Sequence, residues 1–247
     1  MRVWSNVTQW PRGTLPEVGD NVTVPCGWTI LMDVEPAEIY ALEINGDVII
    51  DDRDTVIIAK YIWIRSGSLT AGNSTNPFGY KLTILVEGSS SDPTYVIDPS
   101  LAARKCIVVT GRLSLYGVAP ETTSTRLTSK AAAGDTTITV DQLQGWAAGD
   151  SIVIAPSFSN GYQFERAEIQ SISGNTLTLT QPLNFTHYGE ATTITTSIGG
   201  LDMRATVGHM TRSIKIVSND SDAGWGFRLV TYNMDDASVA RNGRVAL

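Results

Sequence analysis

The 247 residues include only two histidines, His187 and His209, and two cysteines, Cys26 and Cys106. Four such ligands in all leave little from which to build a tetrahedral zinc centre. The Gly-x-Ser-x-Gly elbow of serine hydrolases is missing. So are Gly-x-Gly-x-x-Gly and the P-loop pattern, and with them a phosphate-cradling loop. No apolar run approaches the roughly 20 residues of a membrane-spanning helix; the longest are strand-sized. No segment carries helical periodicity, and Met1-Arg-Val-Trp leads straight into polar residues, so no secretory leader is expected within this stretch. Basic residues are in the minority, 18 Lys and Arg against 25 Asp and Glu, giving a net charge of −7. A surface of that sign repels nucleic acid and anionic membranes, so neither is an expected partner.

What is present is a β-rich composition with 42% hydrophobic residues, enough for a sizeable core. Short runs of alternating β-branched residues end repeatedly in glycine. They are Ile39-Tyr-Ala-Leu-Glu-Ile-Asn-Gly46, Tyr61-Ile-Trp-Ile-Arg-Ser-Gly67, Tyr80-Lys-Leu-Thr-Ile-Leu-Val-Glu-Gly88 and Cys106-Ile-Val-Val-Thr-Gly111. A recurrence of roughly twenty residues is the period of a stacked β-solenoid, in which each coil buries its apolar face against the next. The expected fold is therefore all-β: a right-handed parallel β-helix with an N-terminal cap and an inserted small antiparallel β unit.

Three segments are expected. Residues 1–127 form capping coils, with loops at 67–79 and 87–93. Residues 128–198 form the inserted unit, in which Thr136–Val140, Ser151–Ile154, Arg166–Ile172 and Thr176–Thr180 alternate cleanly and Ser173-Gly-Asn175 marks a hairpin. Residues 199–247 resume the parallel β-helix. The last residues, Arg244-Val-Ala-Leu247, lie in a strand-like run, so the expected neighbour is the remainder of a longer chain. A Gly-Asp pair opens three strands, at Gly19-Asp20, Gly134-Asp135 and Gly149-Asp150, which reads as turn chemistry before it reads as catalysis.

Five Asn-x-Ser/Thr sequons, at Asn6, Asn21, Asn73, Asn184 and Asn219, exceed the about two expected by chance in a chain this rich in Ser and Thr. They favour an extracellular or cell-surface setting. Pairing alone leaves Cys26 and Cys106 level between a bridge and two buried free thiols; the extracellular setting tips the expectation to a Cys26–Cys106 disulfide. Asp47, Asp51, Asp52 and Asp54 surround Arg53. Calcium is possible there, although solvated turns explain the cluster more simply; no other cofactor is expected. His187 reads as a satisfied core or turn residue, and the tryptophans as core or cap rather than sugar platforms.

Taken in order, Trp4, Trp10-Pro11, Pro16, Gly19-Asp20-Asn-Val, Cys26-Gly27, Leu31-Met-Asp33, Leu42-Glu-Ile-Asn-Gly46, Gly67 and Gly88 resemble the eight-glycine domain family. Gly149-Asp150, Thr186-His-Tyr-Gly189, Met203-Arg-Ala-Thr-Val-Gly208 and Thr211-Arg-Ser-Ile214 extend the likeness over nearly the whole chain. The family has a fibrocystin-like receptor branch at cell and ciliary surfaces, and a hyaluronidase and hyaluronan-binding branch. The resemblance to the first implies a structural or adhesive module that binds polysaccharide or cell-surface protein. The resemblance to the second implies a glycan depolymerase with Arg12, Asp20 and Asp33 as catalytic residues, two carboxylates beside one arginine.

Overall fold

A computed structural model describes residues 1–98, 101–190, 194–196, 199–219, 225–232 and 244–246. Apart from a single 3-10 turn at Val7–Gln9, every regular element among them is a strand. Residues 1–118 with 213–247 form one compact unit, and residues 119–212 a second.

In the first unit the chain alternates between two parallel sheets. One sheet takes, in spatial order, Arg2–Val3, Thr29–Met32, Asp47–Ile50, Ser68–Ala71, Arg112–Leu115 and Arg244–Ala246. The other takes Asn21–Val24, Ile39–Ile44, Thr55–Ile64, Cys106–Val109 and Arg228–Thr231. Leu82–Val86 pairs with the first half of Thr55–Ile64, and Ile214–Ser218 pairs in turn with Leu82–Val86. Thus Leu82–Val86 and Cys106–Val109 together match one ten-residue strand. The excursion between them carries a hairpin of Tyr95–Asp98 with Leu101–Ala103.

Register puts like on like. Val22, Leu42, Ile62 and Ile107 are successive Cα partners, as are Val24, Ile44, Ile64 and Val109. Ile30, Val48, Leu69 and Leu113 do the same in the other sheet. All twelve are buried in one apolar cluster. Asp47–Ile50, Ser68–Ala71 and Leu82–Val86 alternate buried with less buried residues, so the pleat sends one column inward and leaves its neighbours outside. The outer columns are half covered too: Tyr95 from the excursion stacks on Tyr61 at 4.9 Å between ring centroids.

Three glycines set the passage between the sheets. A Cβ on Gly67 would lie 1.6 Å from Gly46 O, and one on Gly111 2.3 Å from Gly67 O. A Cβ on Gly46 would meet Trp28 O at 2.4 Å. The backbones stack directly here, and Ser68 N donates to Gly46 O and Arg112 N to Gly67 O. Gly88 differs: its φ is +122° and it turns the chain into the excursion beside Asp92. At the opposite margin Trp4 and Trp10 close the apolar interior, buried edge to face at 4.8 Å, with Trp10 Nε1 donating to Trp4 O.

Two expectations change. Ser68–Ala71 is a strand, not the start of a long loop; its alternating Leu69 and Ala71 fill the core although Ser68 and Thr70 look loop-like. The Cys26–Cys106 bridge is absent. Both thiols are free, Cys26 exposed and Cys106 buried. Asn21, Ala41, Tyr61 and Cys106 are successive partners across the sheet. At about 4.8 Å per strand, Cys106 sits roughly 14 Å from the strand that leads to Cys26, twice the span a disulfide can bridge.

The second unit is antiparallel. Its strands run Ser124–Arg126, Thr206–His209, Ser151–Ile154, Glu165–Ser173, Thr176–Leu179 and Thr137–Thr139 in spatial order. A bridge between Leu127 and Val140 joins the two margins. Leu127, Ile138, Ile152, Ile154, Leu177, Leu179 and Val207 form its own core with Trp146. The unit therefore reaches beyond 128–198 at both ends, because the three- and four-residue strands at 124–126 and 206–209 are too short to announce themselves. Gly117 and Ser213, where the first unit is left and rejoined, lie side by side: a Cβ on Gly117 would be 2.7 Å from Ser213 Oγ.

Substituting Gly67→Ala is expected to destabilise the fold by about 3 kcal/mol, the upper end for an inserted methyl, since the obstacle is backbone and cannot swing away. Gly79, with open space around it, serves as control: Gly79→Ala should stay within about 0.5 kcal/mol in a urea titration. Thiol titration should find one reactive cysteine in the native protein and two in denaturant. Burial removes Cys106 from solvent and pushes its thiol up to about 11. Fewer than two thiols in denaturant would restore the bridge.

Candidate functional sites

Arg12 and Asp20 are brought together. Arg12 follows the 3-10 turn and Trp10, while Asp20 ends the turn before Asn21–Val24. The guanidinium makes two contacts with the carboxylate, Nη1 to Oδ1 at 3.2 Å and Nη2 to Oδ2. Asp20 Oδ2 also accepts the backbone N–H of Glu17 at 2.8 Å. The Arg12 hydrogen bond, and after it the Glu17 amide, holds the Asp20 carboxyl below its ordinary value. The pair lines an open cleft of about 360 Å³ with Trp10, Thr14, Pro16, Asn21 and Thr23.

Asp33 is not among the residues lining that cleft. It follows Thr29–Met32 and accepts Ser5 N at 2.9 Å and Ser5 Oγ at 2.5 Å. Partial burial pushes its carboxyl up, but the Ser5 hydroxyl and amide outweigh that and hold it low. Its backbone oxygen accepts Arg53 Nη1 at 2.6 Å. Asp33 thus ties the N-terminal segment to the first full layer of the stack.

The Gly-Asp turns share one geometry. Asp20, Asp135 and Asp150 each accept the N–H of the residue three before, at 2.8, 2.7 and 2.7 Å, and return their own N–H to its oxygen. The preceding glycines have φ of +82°, +92° and +89°. Asp20 is therefore first a turn residue, with Arg12 added on its free side.

The acidic cluster diverges. Asp47 accepts Ser68 Oγ at 2.6 Å and Asp54 accepts Lys81 N at 2.9 Å. Among the described residues no three His, Cys, Asp or Glu side chains converge as a metal site would need. Of the sequon asparagines, Asn6 and Asn73 accept the N–H and hydroxyl of their own Thr two residues on. Asn21 is exposed on a marginal strand, and Asn184 is exposed beside Glu165; of the Asn219 sequon only Asn219 lies within the described residues.

His187 is a buried anchor, not a metal ligand. Its Nδ1 lies 3.0 Å from Ala155 O and its Nε2 2.8 Å from Glu165 Oε1. Glu165 accepts Phe185 N on the same oxygen, and Asn184 N and Nδ2 on the other. Burial pushes the Glu165 carboxyl up, but the Asn184 amide, His187 and Phe185 outweigh it and hold it below its ordinary value. Four donors on one carboxylate fill its lone-pair sites and fix residues 184–187 against Ala155 and the start of Glu165–Ser173. Sequence reasoning missed Glu165, which stands 22 residues from its histidine in a strand that reads as surface. It also missed Lys105, buried with φ +48°, whose ammonium reaches Asn219 O and Trp225 O.

Glu165→Gln is expected to cost the protein about 3 kcal/mol, as for breaking a buried pair, with the loss read in a thermal melt. Because the folded pKa is depressed, the carboxylate's contribution is present above its ordinary 4.5 and is lost as pH falls through the folded value. Wild type should therefore lose stability below about pH 4.5 more steeply than the glutamine variant; equal slopes would refute the assignment.

Residues 9–128 match the G8 domain. Fibrocystin-L of Homo sapiens is 29% identical over an alignment taking in 99% of this chain and 6% of that protein. Fibrocystin-L of Mus musculus is 29% identical over 88% of this chain and 6% of the relative, and fibrocystin of Canis lupus familiaris 33% over 74% and 5%. The chain spans about one-twentieth of the length of these relatives.

Proposed function

The chain belongs to the G8 domain family, and from that premise we propose that it is an extracellular structural and adhesive module of a larger cell-surface or ciliary protein. In this reading each alternation between the two parallel sheets is one turn of a right-handed parallel β-helix, and the Trp4–Trp10 pair caps its first turn. The module presents polysaccharide- or protein-binding surfaces on a stack that the rest of a longer chain extends.

The supporting observation is the shared apolar interior of two parallel sheets, shut by tryptophan at one margin. Such a ribbon is stiff along its stacking direction, and its exposed turns can vary without touching the core. No helix among the described residues is long and apolar enough to cross a membrane. Attachment to a membrane would come from elsewhere in the protein.

A second reading has one observation in its favour. Arg12 and Asp20 meet in an open cleft, as a hyaluronidase-like depolymerase would require of two of its three residues. Glycosidic cleavage by two carboxylates needs them about 5–10 Å apart across the bond. Asp33 spends its oxygens on Ser5 and does not line that cleft.

The protein incubated with fluorescent hyaluronan and with neutral polysaccharides is expected to leave their chain lengths unchanged while retarding one or more of them in affinity electrophoresis. Shortening that disappears in Asp20→Asn would replace the adhesive reading with the depolymerase. Neither retardation nor shortening would remove the glycan arm of the proposal.

A further inference from the structure

The second unit carries a groove to which nothing above gives a role, although the Asn184 sequon lies in its wall. About 420 Å³ in volume, it is lined by Phe158, Asn160, Gln163, Asn184, Phe185 and Thr186, with small residues completing the wall. None of its lining residues is charged. Phe158 is 56% exposed, and two more aromatics of the same loop, Tyr162 and Phe164, stand 88% and 49% exposed. Three solvent-facing aromatics within seven residues are unusual for a short connection, since a buried core is the ordinary place for them.

The polar groups are held in place. Asn184 N and Nδ2 donate to Glu165 Oε2 at 2.6 and 3.1 Å, and that carboxylate is itself pinned by His187. Asn160 Oδ1 accepts Tyr162 N at 3.0 Å, so the side-chain oxygen is engaged within the loop and the amide nitrogen is the group left to donate. Three planar amides and the hydroxyls of Ser159 and Thr186 beside an exposed aromatic side chain suit a ligand with an apolar ring face and equatorial polar groups. The absence of any cation in the lining disfavours an anionic sugar, and the amides disfavour a purely apolar ligand.

We propose that this groove binds a neutral pyranose of the N-acetylhexosamine class, stacked on Phe158 and hydrogen-bonded by Asn160, Gln163 and Asn184. The inference rests on the extracellular, glycan-contacting reading and gives it an address. The sugar has two possible sources. It can belong to a separate glycan, or it can be the first residue of a glycan on Asn184 itself, because Asn184-Phe185-Thr186 is a sequon and all three residues line the groove. In that case oligosaccharide transfer from a polyprenyl diphosphate donor forms the bond from Nδ2 to the sugar C1. The C1–O bond to the diphosphate breaks, and one Nδ2 proton leaves. The remaining N–H still serves Glu165. A tethered sugar meets the groove at an effective concentration of order millimolar, so weak stacking suffices to seat it.

The test has two arms, both on the full chain. Unglycosylated, ¹⁵N-labelled protein is titrated with N,N′-diacetylchitobiose. Shifts confined to amides of residues 158–163 and 184–186, weakened about tenfold by Phe158→Ala, establish a site for a separate glycan. Protein secreted from eukaryotic cells behind an added leader is mapped for glycopeptides and melted beside its unglycosylated form. Occupancy at Asn184 with a Tm gain of a few degrees that vanishes in Phe158→Ala establishes the tethered source. Failure of both arms overturns the groove. Chitobiose shifts elsewhere, or occupancy at Asn6, Asn21 or Asn73 but not Asn184 with no shifts at the groove, overturn it while leaving the extracellular reading standing. No occupied sequon and no saccharide response anywhere would sink both.

Discussion

Backbone lies on backbone at Gly46, Gly67 and Gly111, and the geometry of the first unit follows from that contact. With no side chain in the way, Ser68 N reaches Gly46 O and Arg112 N reaches Gly67 O. Hydrogen bonding thus carries on around the corner from one parallel sheet to the other. The strands on either side are then forced into the same register, which brings Val24, Ile44, Ile64 and Val109 into one inward column and Ile30, Val48, Leu69 and Leu113 into another. Had any of the three carried a Cβ, backbone would have to give way, most of all at Gly67, where the Cβ would lie 1.6 Å from Gly46 O. The hydrophobic columns would then lose van der Waals contact.

The same register decides the chemistry available outside. Residues beside the inward columns face away from the core, and Cys106 is carried on one of these outward columns together with Tyr61 and Ala41. Polar side chains that could have formed a site are mostly consumed in fastening layers: Asp47 to Ser68, Asp33 to Ser5, Thr110 to Ile64 and Arg65. The carboxylates that remain in a cleft are few, and Asp20 is one. The second unit works differently. Its buried pair, the Glu165 carboxylate and the His187 ring, holds a loop connection in place without fastening strand to strand, and the surface beside that connection is where aromatic residues stand free.

Much of this architecture was legible in the amino-acid order. Short apolar runs bounded by turn residues marked Ile39–Ile44 and Asp47–Ile50, alternation marked Ser151–Ile154 and Thr176–Leu179, and the Gly-Asp turns were recognisable as a repeated device before their hydrogen bonds were seen. Three of the four phrase-ending glycines stack as their period suggested; Gly88 does not, because the chain leaves the stack there. Ser68–Ala71 escaped notice since only two of its four residues are apolar. The cysteine pairing failed because strand order, which a one-dimensional string does not display, sets Cys106 three strands away from the strand that leads to Cys26. Arg12 and Asp20 are eight residues apart and their meeting is local. Glu165 and His187 are joined only by antiparallel folding, and no spacing rule announces them.

The doorway formed by Gly117 and Ser213 has a wider meaning. A whole antiparallel domain departs and returns through neighbouring points, and directly after it Ile214–Ser218 takes its place in the parallel sheet beside Leu82–Val86. Evolution could exchange, enlarge or delete such a guest without renegotiating the host's interior. The surface of the guest and the interior of the host are thereby free to diverge at separate rates.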